Sequence, residues 1–314
     1  MMIPIDSIKN LQKIGNAPEY PPNGNYKLTC DIDASETRGW NRGKGFKSIT
    51  NFGGVFDGNG HVISNLYIKR KKENYVGLFG QIVGKGVVRN LGVEDADILG
   101  YKAVGIITGE NYSGSVKKCY STGIVRGDSI VGGLVGLNLG KVEQCYNTGI
   151  LGCGSTLGGL VGANLGTVKQ SYASTKVSGF YNVGGLIGEN NEGVVKQCYA
   201  CGRVDGLFSA GGLVGGYWEE LWPDLDNTEG EKIYTNLKGI PYWESYESIV
   251  LKSYWDVITS RQRRSDGGQF RTTDQMMEKA TYKGWDFVNI WDIQEGVTYP
   301  WLRALGPTKQ PKNK

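Results

Sequence analysis

The acidic residues best placed to do chemistry in this chain of 314 residues lie in residues 217–248. Glu219, Glu220 and Asp224 could supply the two carboxyl groups, about 5 to 10 Å apart, that a glycoside hydrolase requires. A polysaccharide lyase would instead need a base such as Lys, Arg, Tyr or His with a charge neutraliser beside it. Because acids at this density are also common on solvated surfaces, the pattern leaves catalysis open.

Aromatic side chains occur among these acids in the same segment. They are Trp218, Trp222, Tyr242, Trp243 and Tyr246. Aromatic faces stack on the apolar faces of sugars, and long loops on a rigid array commonly present binding groups. The sequence therefore predicts a carbohydrate-binding surface here. The alternative is that these aromatic rings fold back onto the rest of the protein and are buried.

Other kinds of site are poorly supported by the sequence. The single histidine, His61, cannot form an HExxH zinc motif, and no phosphate-binding GxxxxGK[ST] loop is present. We therefore expect no metal and no cofactor. The net charge of +4 is spread along the chain, which argues against a nucleic-acid partner. No apolar run reaches the length of a membrane span, so we expect no membrane insertion.

A repeated unit of 26 to 28 residues must position these side chains. It recurs through residues 74–216, and one copy reads CGSTLGGLVGANLGTVKQSYASTKVSG. A fixed period in this range indicates stacked units that bury their apolar faces against one another. Each unit contains three apparent strands, of the forms VGGLVG, VxQCY and TGIVxG, separated by Gly- or Asn-containing corners. The sequence thus predicts an all-β fold, a right-handed parallel β-helix with three-strand coils of about 26 residues.

Three columns of equivalent residues support this prediction. They contain Asn111, Asn138, Asn164 and Asn190; Tyr120, Tyr146, Tyr172 and Tyr199; and Cys119, Cys145 and Cys198 with Ser171 in the same position. Stacked amides bond to each other in cross-β packing, and a small semi-polar position suits interior packing. A disulfide between neighbouring coils is the minority alternative for the cysteines. For the tyrosines we favour a stabilising stack over a sugar-binding surface row.

The flanks of the repeats predict one solenoid domain over residues 1–306. A helix over residues 5–14 would cap its start, within a cap covering residues 1–16, and irregular first coils would fill residues 17–73. After the aromatic and acidic insertion at residues 217–248, a last coil and a C-terminal cap would occupy residues 249–306. Tyr254 would continue the tyrosine column, and Thr272 or Thr273 would begin a short helix. We expect residues 307–314 to be disordered.

The pattern VGGLVGxNxGxVxQCYxTGxVxG resembles the GLUG repeat, which occurs in bacterial secreted and surface proteins. These include the non-catalytic parts of immunoglobulin A1 metalloproteases. The likeness extends over about residues 5–303, through LQKIGNAPEYPPNGNYKLTCDIDAS at the start and WDFVNIWDIQEGVTYPWL at the end. The insertion departs from it. The resemblance implies a β-solenoid in an extracellular or cell-surface setting, although MMIPIDSIKN lacks the basic and apolar regions of a signal peptide.

Three functions are consistent with these features. We favour a secreted or surface-displayed module that binds a polysaccharide or cell-surface glycan through the insertion. The second is a polysaccharide-cleaving enzyme, hydrolase or lyase, with its cleft along the solenoid flank. The third is a passive scaffold without a ligand of its own. They differ in whether the insertion presents convergent carboxylates, exposed aromatic rings or neither.

Overall fold

A computed structural model describes residues 2–216 and 248–307 of the chain. Nearly all of its regular structure is parallel β-sheet wound into a solenoid, as the repeat period predicts. Each coil within residues 101–206 continues four sheets, and neighbouring strands in a sheet come from successive coils. The sheets are called A to D below. No helix of the described residues is long and apolar enough to cross a membrane.

Sheets A and B are the two largest. The nine strands of sheet A are Ile3–Ile5, Asn25–Leu28, Val55–Asp57, Val87–Arg89, Ser115–Lys117, Lys141–Glu143, Thr167–Lys169, Val194–Lys196 and Ile249–Leu251. The thirteen strands of sheet B are Ile32–Asp33, Val62–Ser64, Tyr67–Lys69, Gly92–Leu99, Tyr120–Arg126, Tyr146–Asn147, Ile150–Gly152, Tyr172–Ala173, Lys176–Gly179, Tyr199–Ala200, Val204–Gly206, Tyr254–Asp256 and Gln269–Arg271.

Sheets C and D each have five strands. Those of sheet C are Phe79–Ile82, Thr108–Asn111, Val135–Asn138, Val161–Asn164 and Ile187–Asn190. Those of sheet D are Lys102–Val104, Ser129–Gly132, Ser155–Gly158, Val183–Gly184 and Ala210–Gly211. The predicted strand VGGLVG therefore divides between two sheets. The chain bends at Gly132, where a side-chain Cβ would lie 1.9 Å from the Val135 carbonyl oxygen.

The elements outside the four sheets are short. The α-helices are Ile8–Lys13, Val257–Ser260 and Thr273–Met276, the 3-10 helices are Ser35–Gly43 and Lys279–Thr281, and the antiparallel pair is Trp291–Asp292 with Trp301–Leu302. The predicted first helix begins three residues later than expected, because Ile3–Ile5 adds a strand to sheet A. Ser7 is its N-cap and accepts a hydrogen bond from the Asn10 amide. Thr272 caps the helix Thr273–Met276 in a capping box with Gln275.

Branched apolar side chains fill the solenoid interior in columns. One column in sheet A consists of Val116, Val142, Val168 and Val195, all fully buried. Strands of neighbouring coils lie about 4.8 Å apart, so each such side chain packs directly on its equivalent. The hydrophobic effect acting on this repeated apolar surface holds the coils together.

The corner between sheets A and B uses a left-handed backbone conformation at a non-glycine residue in every coil from Asn90 onward. This corner column contains Asn90, Lys118, Gln144, Gln170, Gln197 and Lys252, with φ between 47° and 54°. Residues in this region are uncommon outside glycine, and Asn is among the more tolerant of them. Within the column, Gln144 donates to Gln170 and Gln170 donates to Gln197, so side-chain amides bond along the solenoid axis.

The asparagine and cysteine columns lie in the interior as predicted. Asn111 donates to Asn138, Asn138 to Asn164 and Asn164 to Asn190, each over 2.8 Å. In the cysteine column, a backbone N–H donates to the side chain of the equivalent residue in the next coil. Cys119 donates to Cys145, Cys145 to Ser171 and Cys198 to Ser253. All six cysteines are free, so the neighbouring-coil disulfide is not formed.

Candidate functional site

The residues predicted to form the glycan-binding or catalytic surface lie outside the described residues. They are Trp218, Glu219, Glu220, Trp222, Asp224, Tyr242, Trp243 and Tyr246. The chain reaches this segment from Gly216 and re-enters the described structure at Ser248. Both ends belong to the last coil, because Gly216 donates to the Ser209 carbonyl and Ser248 donates to the Asn190 carbonyl. Residues 308–314, predicted to be disordered, are also outside the described part.

The tyrosine column is a buried stack and not a sugar-binding surface. Rings of Tyr120, Tyr146, Tyr172 and Tyr199 follow one another with centroids 4.8 to 5.0 Å apart and planes within 14°. Tyr172 and Tyr199 are fully buried, and only Tyr120, at the start of the stack, is partly exposed. Burial raises the pKa of Tyr146 and Tyr199 above the ordinary tyrosine value.

Residues 272–307, called the C-terminal segment below, cover this stack from the side. The Trp291 ring lies 6.2 Å from Tyr172 and 6.1 Å from Tyr199. The Tyr199 hydroxyl donates to the Pro300 carbonyl, and Gln197 donates over 2.7 Å to the Gly284 carbonyl. The segment therefore forms a second apolar core outside the solenoid, along its flank.

The backbone of Tyr254 continues the tyrosine column, but its ring does not join the stack. Its strand pairs with Tyr199 in register, as predicted. The ring that stacks parallel on Tyr199, however, is that of Tyr299, at 6.2 Å and 12°. The Tyr254 ring instead meets Tyr282 edge-on and lies 5.1 Å from the Arg271 guanidinium carbon. Burial raises the pKa of Tyr254, and the nearby Arg271 charge opposes that rise.

A cleft of about 530 Å³ opens between the last strands of sheet B and the C-terminal segment. Its polar and aromatic lining consists of Lys252, Tyr254, Gln269, Arg271, Thr281 and Lys283. This volume is in the range of about 300 to 1,000 Å³ that is typical of ligand sites. Among the described lining residues three are cationic and none is acidic, so the cleft is suited to a polar ligand with negative charge.

The cations of the cleft are held in place without carboxylate partners. Arg271 donates from one nitrogen to the Phe270 carbonyl over 2.7 Å and from another to Gln269 Oε1 over 2.8 Å. The Lys252 ammonium lies 2.9 Å from where a Cβ on Gly284 would be, so glycine leaves room for it. Among residues 2–216 and 248–307, no carboxylate lies within 4.0 Å of the cationic nitrogens of Lys252, Arg271 or Lys283.

A second polar cluster lies where the tyrosine stack begins. His61 Nδ1 is 3.0 Å from Asp31 Oδ1, and the Tyr120 hydroxyl donates to Glu94 over 2.7 Å. The hydrogen bond from the Val62 amide, and to a lesser extent the one with His61, lowers the pKa of Asp31 below its ordinary value. The sequence analysis gave His61 no functional role. In the described part of the chain, no group of three or more His, Cys, Asp or Glu side chains is placed to hold a metal ion.

The cleft was not predicted from the sequence, and the signal for it is weak. Lys252 follows three glutamines in the corner column, but Lys118 also follows an amide, Asn90, in a coil without the cleft. Arg271 and Lys283 have no counterpart in the repeat. Arg271 approaches Lys252 on the strand Gln269–Arg271, which pairs with Tyr254–Asp256, and Lys283 approaches it because the C-terminal segment folds back along the solenoid.

Comparison with known proteins supports the fold and limits what can be said of function. No protein-family model matches the chain, so its assignment to the GLUG repeats stays a prediction. It is 42% identical to halomucin of Haloquadratum walsbyi over an alignment of 141 residues, which covers 42% of this chain and 2% of the relative. It is 36% identical over 117 residues to a putative Gly-rich membrane protein of Evansella cellulosilytica, covering 33% of this chain and 13% of that protein.

Two solved structures share the solenoid architecture. A putative immunoglobulin A1 protease from Bacteroides ovatus matches with a TM-score of 0.59 and 18% identity, over 96% of this chain and 92% of the other. A chain described as IgA1 protease matches with a TM-score of 0.51 and 15% identity, over 99% of this chain and 26% of the other. At these identities the likeness establishes the fold alone. The chain spans only a small part of the sequence relatives it matches.

Proposed function

We propose that this chain is a secreted or surface-displayed solenoid module that binds glycans. The likeness to halomucin and to chains described as immunoglobulin A1 proteases supports a setting outside the cell. The rigid solenoid supplies a support from which residues 217–248 and the neighbouring cleft present ligand-binding groups. The partner is a polysaccharide or a cell-surface glycan.

The observation that carries this proposal is the cleft beside Tyr254. It combines cations that have no carboxylate partner among the described residues with the hydroxyl of Thr281 and the amide of Gln269, beside the paired strands of sheet B. Sugar hydroxyls and acidic substituents are recognised by such donors, and binding costs less entropy when the donors are already fixed. The cleft adjoins the last coil, from which residues 217–248 also extend.

Binding of the intact chain to a panel of plant, algal, bacterial and mucin-type glycans tests the proposal. We expect at least one glycan to bind with a dissociation constant in the micromolar range, about −8 kcal/mol. Replacement of Trp218, Trp222 and Trp243 by Ala should weaken that binding tenfold or more. Replacement of the exposed Tyr112 by Ala is the control and should leave glycan binding unchanged. If the folded chain bound no glycan on a broad panel, the passive scaffold would be the better interpretation.

A polysaccharide lyase is the second candidate, because the cleft brings lysines and an arginine beside a tyrosine. A lyase uses such groups to neutralise a uronate and to remove its proton. Incubation with uronate polymers, followed by ultraviolet absorbance of an unsaturated product, tests this activity. Release of reducing ends without that absorbance would favour a hydrolase. Single substitutions of Glu219, Glu220 and Asp224 would then be the next experiment.

A further inference from the structure

We propose that the cleft selects polyanionic glycans, whose repeated carboxylate or sulfate groups contact Lys252, Arg271 and Lys283. This inference rests on the proposed function and names its ligand class. A cleft lined by charge of one sign concentrates the electric field at its floor and attracts ligands of the opposite sign. The three cations line one cleft, and no acidic residue belongs to its described lining.

The carboxylate paired with Arg271 across the sheet, that of Asp256, does not neutralise the positive charge of the cleft. Asp256 pairs in register with Arg271 on the neighbouring strand, but it is fully buried and turned to other partners. It accepts hydrogen bonds from the amides of Ile258 and Thr259 and from the hydroxyls of Thr273 and Tyr299. The positive charge of the cleft therefore remains open to a ligand.

Arg271 is prepared for an anion. Its contacts with the Phe270 carbonyl, with Gln269 and with the Tyr254 ring fix the plane of its guanidinium group. These contacts use two of its five N–H donors, so three are left for a carboxylate or sulfate. A group fixed in this way loses little freedom when it binds, which increases affinity.

The cationic lining of the cleft is small, which favours a saccharide over a nucleic acid. Outside the cleft, six described arginines form ion pairs with acids, whereas Arg42, Arg261, Arg263 and Arg264 form none within the described residues. A duplex carries one charge per about 1.7 Å and is bound by an extended basic surface. Hydroxyl and amide groups at Thr281 and Gln269 suit sugar hydroxyls in the same cleft.

Two matched triple variants test the inference. K252Q/R271Q/K283Q removes the three charges of the cleft. K71Q/K72Q/K85Q removes three exposed, unpaired charges from the early coils and changes the net charge equally. Glutamine suits position 252, because Gln197 has the same left-handed backbone one coil earlier. The thermal midpoint of each variant reports whether it folds.

The probes are polygalacturonate, dextran sulfate, unsubstituted dextran and a random-sequence DNA duplex. We expect the unmodified chain to bind polygalacturonate or dextran sulfate at least tenfold more tightly than dextran, with affinity that falls as salt rises. The relative affinity for the first two identifies the anionic group. The cleft variant should lose about tenfold or more, and the early-coil variant less than about twofold, since a tenfold change equals about 1.4 kcal/mol.

The outcomes separate this inference from the proposed function. If neutral glycans bound as tightly as acidic ones, or if both triple variants lost affinity equally, the charge selectivity would be wrong while glycan binding stood. If the duplex bound more tightly than either acidic polysaccharide, a nucleic acid would replace the glycan as ligand. If no probe and no panel glycan bound the folded chain, both proposals would fail together.

Discussion

The hydroxyl of Tyr299 donates a 2.6 Å hydrogen bond to the buried carboxylate of Asp256. Tyr299 belongs to the C-terminal segment, whereas Asp256 ends the last full strand of the tyrosine column in sheet B and caps the helix Val257–Ser260. Thr273, at the start of the helix Thr273–Met276, donates to the same carboxylate oxygen over 2.7 Å. One side chain of the last coil therefore anchors the segment that forms one wall of the cleft.

Replacement of Tyr299 by Phe should destabilise the C-terminal segment by about 1.5 to 3 kcal/mol, because hydrogen bonds to charged groups contribute that much. Hydrogen exchange of amides in residues 272–307 measures the effect. Exchange there should accelerate, while exchange in sheets A and C stays unchanged. Tyr181, which is 52% exposed, is the control, and its replacement by Phe should alter exchange neither in residues 272–307 nor in sheets A and C. Equal exchange in both variants would show that Asp256 does not anchor the segment.

Replacement of Asn138 by Ala should lower the stability of the solenoid by about 2 to 4 kcal/mol. Asn138 is fully buried, accepts from Asn111 and donates to Asn164, so its loss leaves two buried amide groups without these partners. Chemical denaturation followed by circular dichroism measures the change. The matched control is Asn191→Ala, since that exposed amide bonds only to Glu189 and should contribute less than about 0.5 kcal/mol. A midpoint unchanged by Asn138→Ala would mean that the column adds no stability.

Two of the six thiols should react readily in the folded protein. Cys30 and Cys153 are exposed, whereas Cys119, Cys145, Cys198 and Cys201 are buried. Burial raises the pKa of Cys198 and Cys201 to about 12, so they hold their protons near neutral pH and are also out of reach of a reagent. Titration with Ellman's reagent should give two reactive groups before denaturation and six after it. Reaction of a third thiol in the native state would show that the interior opens.

The stability of the solenoid should fall as the pH rises between about 9 and about 12. An unfolded thiol loses its proton near 9, but the Cys198 thiol keeps it up to about 12, so the unfolded state is favoured by about 1.4 kcal/mol per pH unit for each such group. Below pH 9 this contribution to stability is complete. Cys198→Ser removes one group and fits the column, which contains Ser171 and Ser253. Urea denaturation at several pH values should show a shallower fall for this variant, and equal slopes would contradict the cause.

The sequence predicts the solenoid well because its information is periodic. A fixed repeat places Asn111 above Asn138 and Tyr146 above Tyr172 whatever the details of the corners, since any parallel stack brings equivalents together. The division of VGGLVG between two sheets was missed. It depends on a bend at Gly132 that the apolar pattern does not show.

The site was less predictable because its parts are not periodic. Lys252 belongs to the repeat, but Lys283 approaches it through contacts distant in sequence, such as those of Trp285 and Trp291 with the tyrosine stack. Such packing depends on shape and not on local pattern. The aromatic and acidic residues of the 217–248 segment stay a prediction.

The C-terminal segment lies along the flank and makes ring contacts with the column from Tyr172 onward. The coils before Tyr146 contribute no ring to those contacts. Gain or loss of a whole unit within residues 74–152 would therefore lengthen or shorten the protein by about 4.8 Å per unit and leave the cleft unchanged. The same change after Tyr172 would put the segment out of register with its partners. Natural variation in length, and any engineered extension of this protein, should thus be confined to its first half.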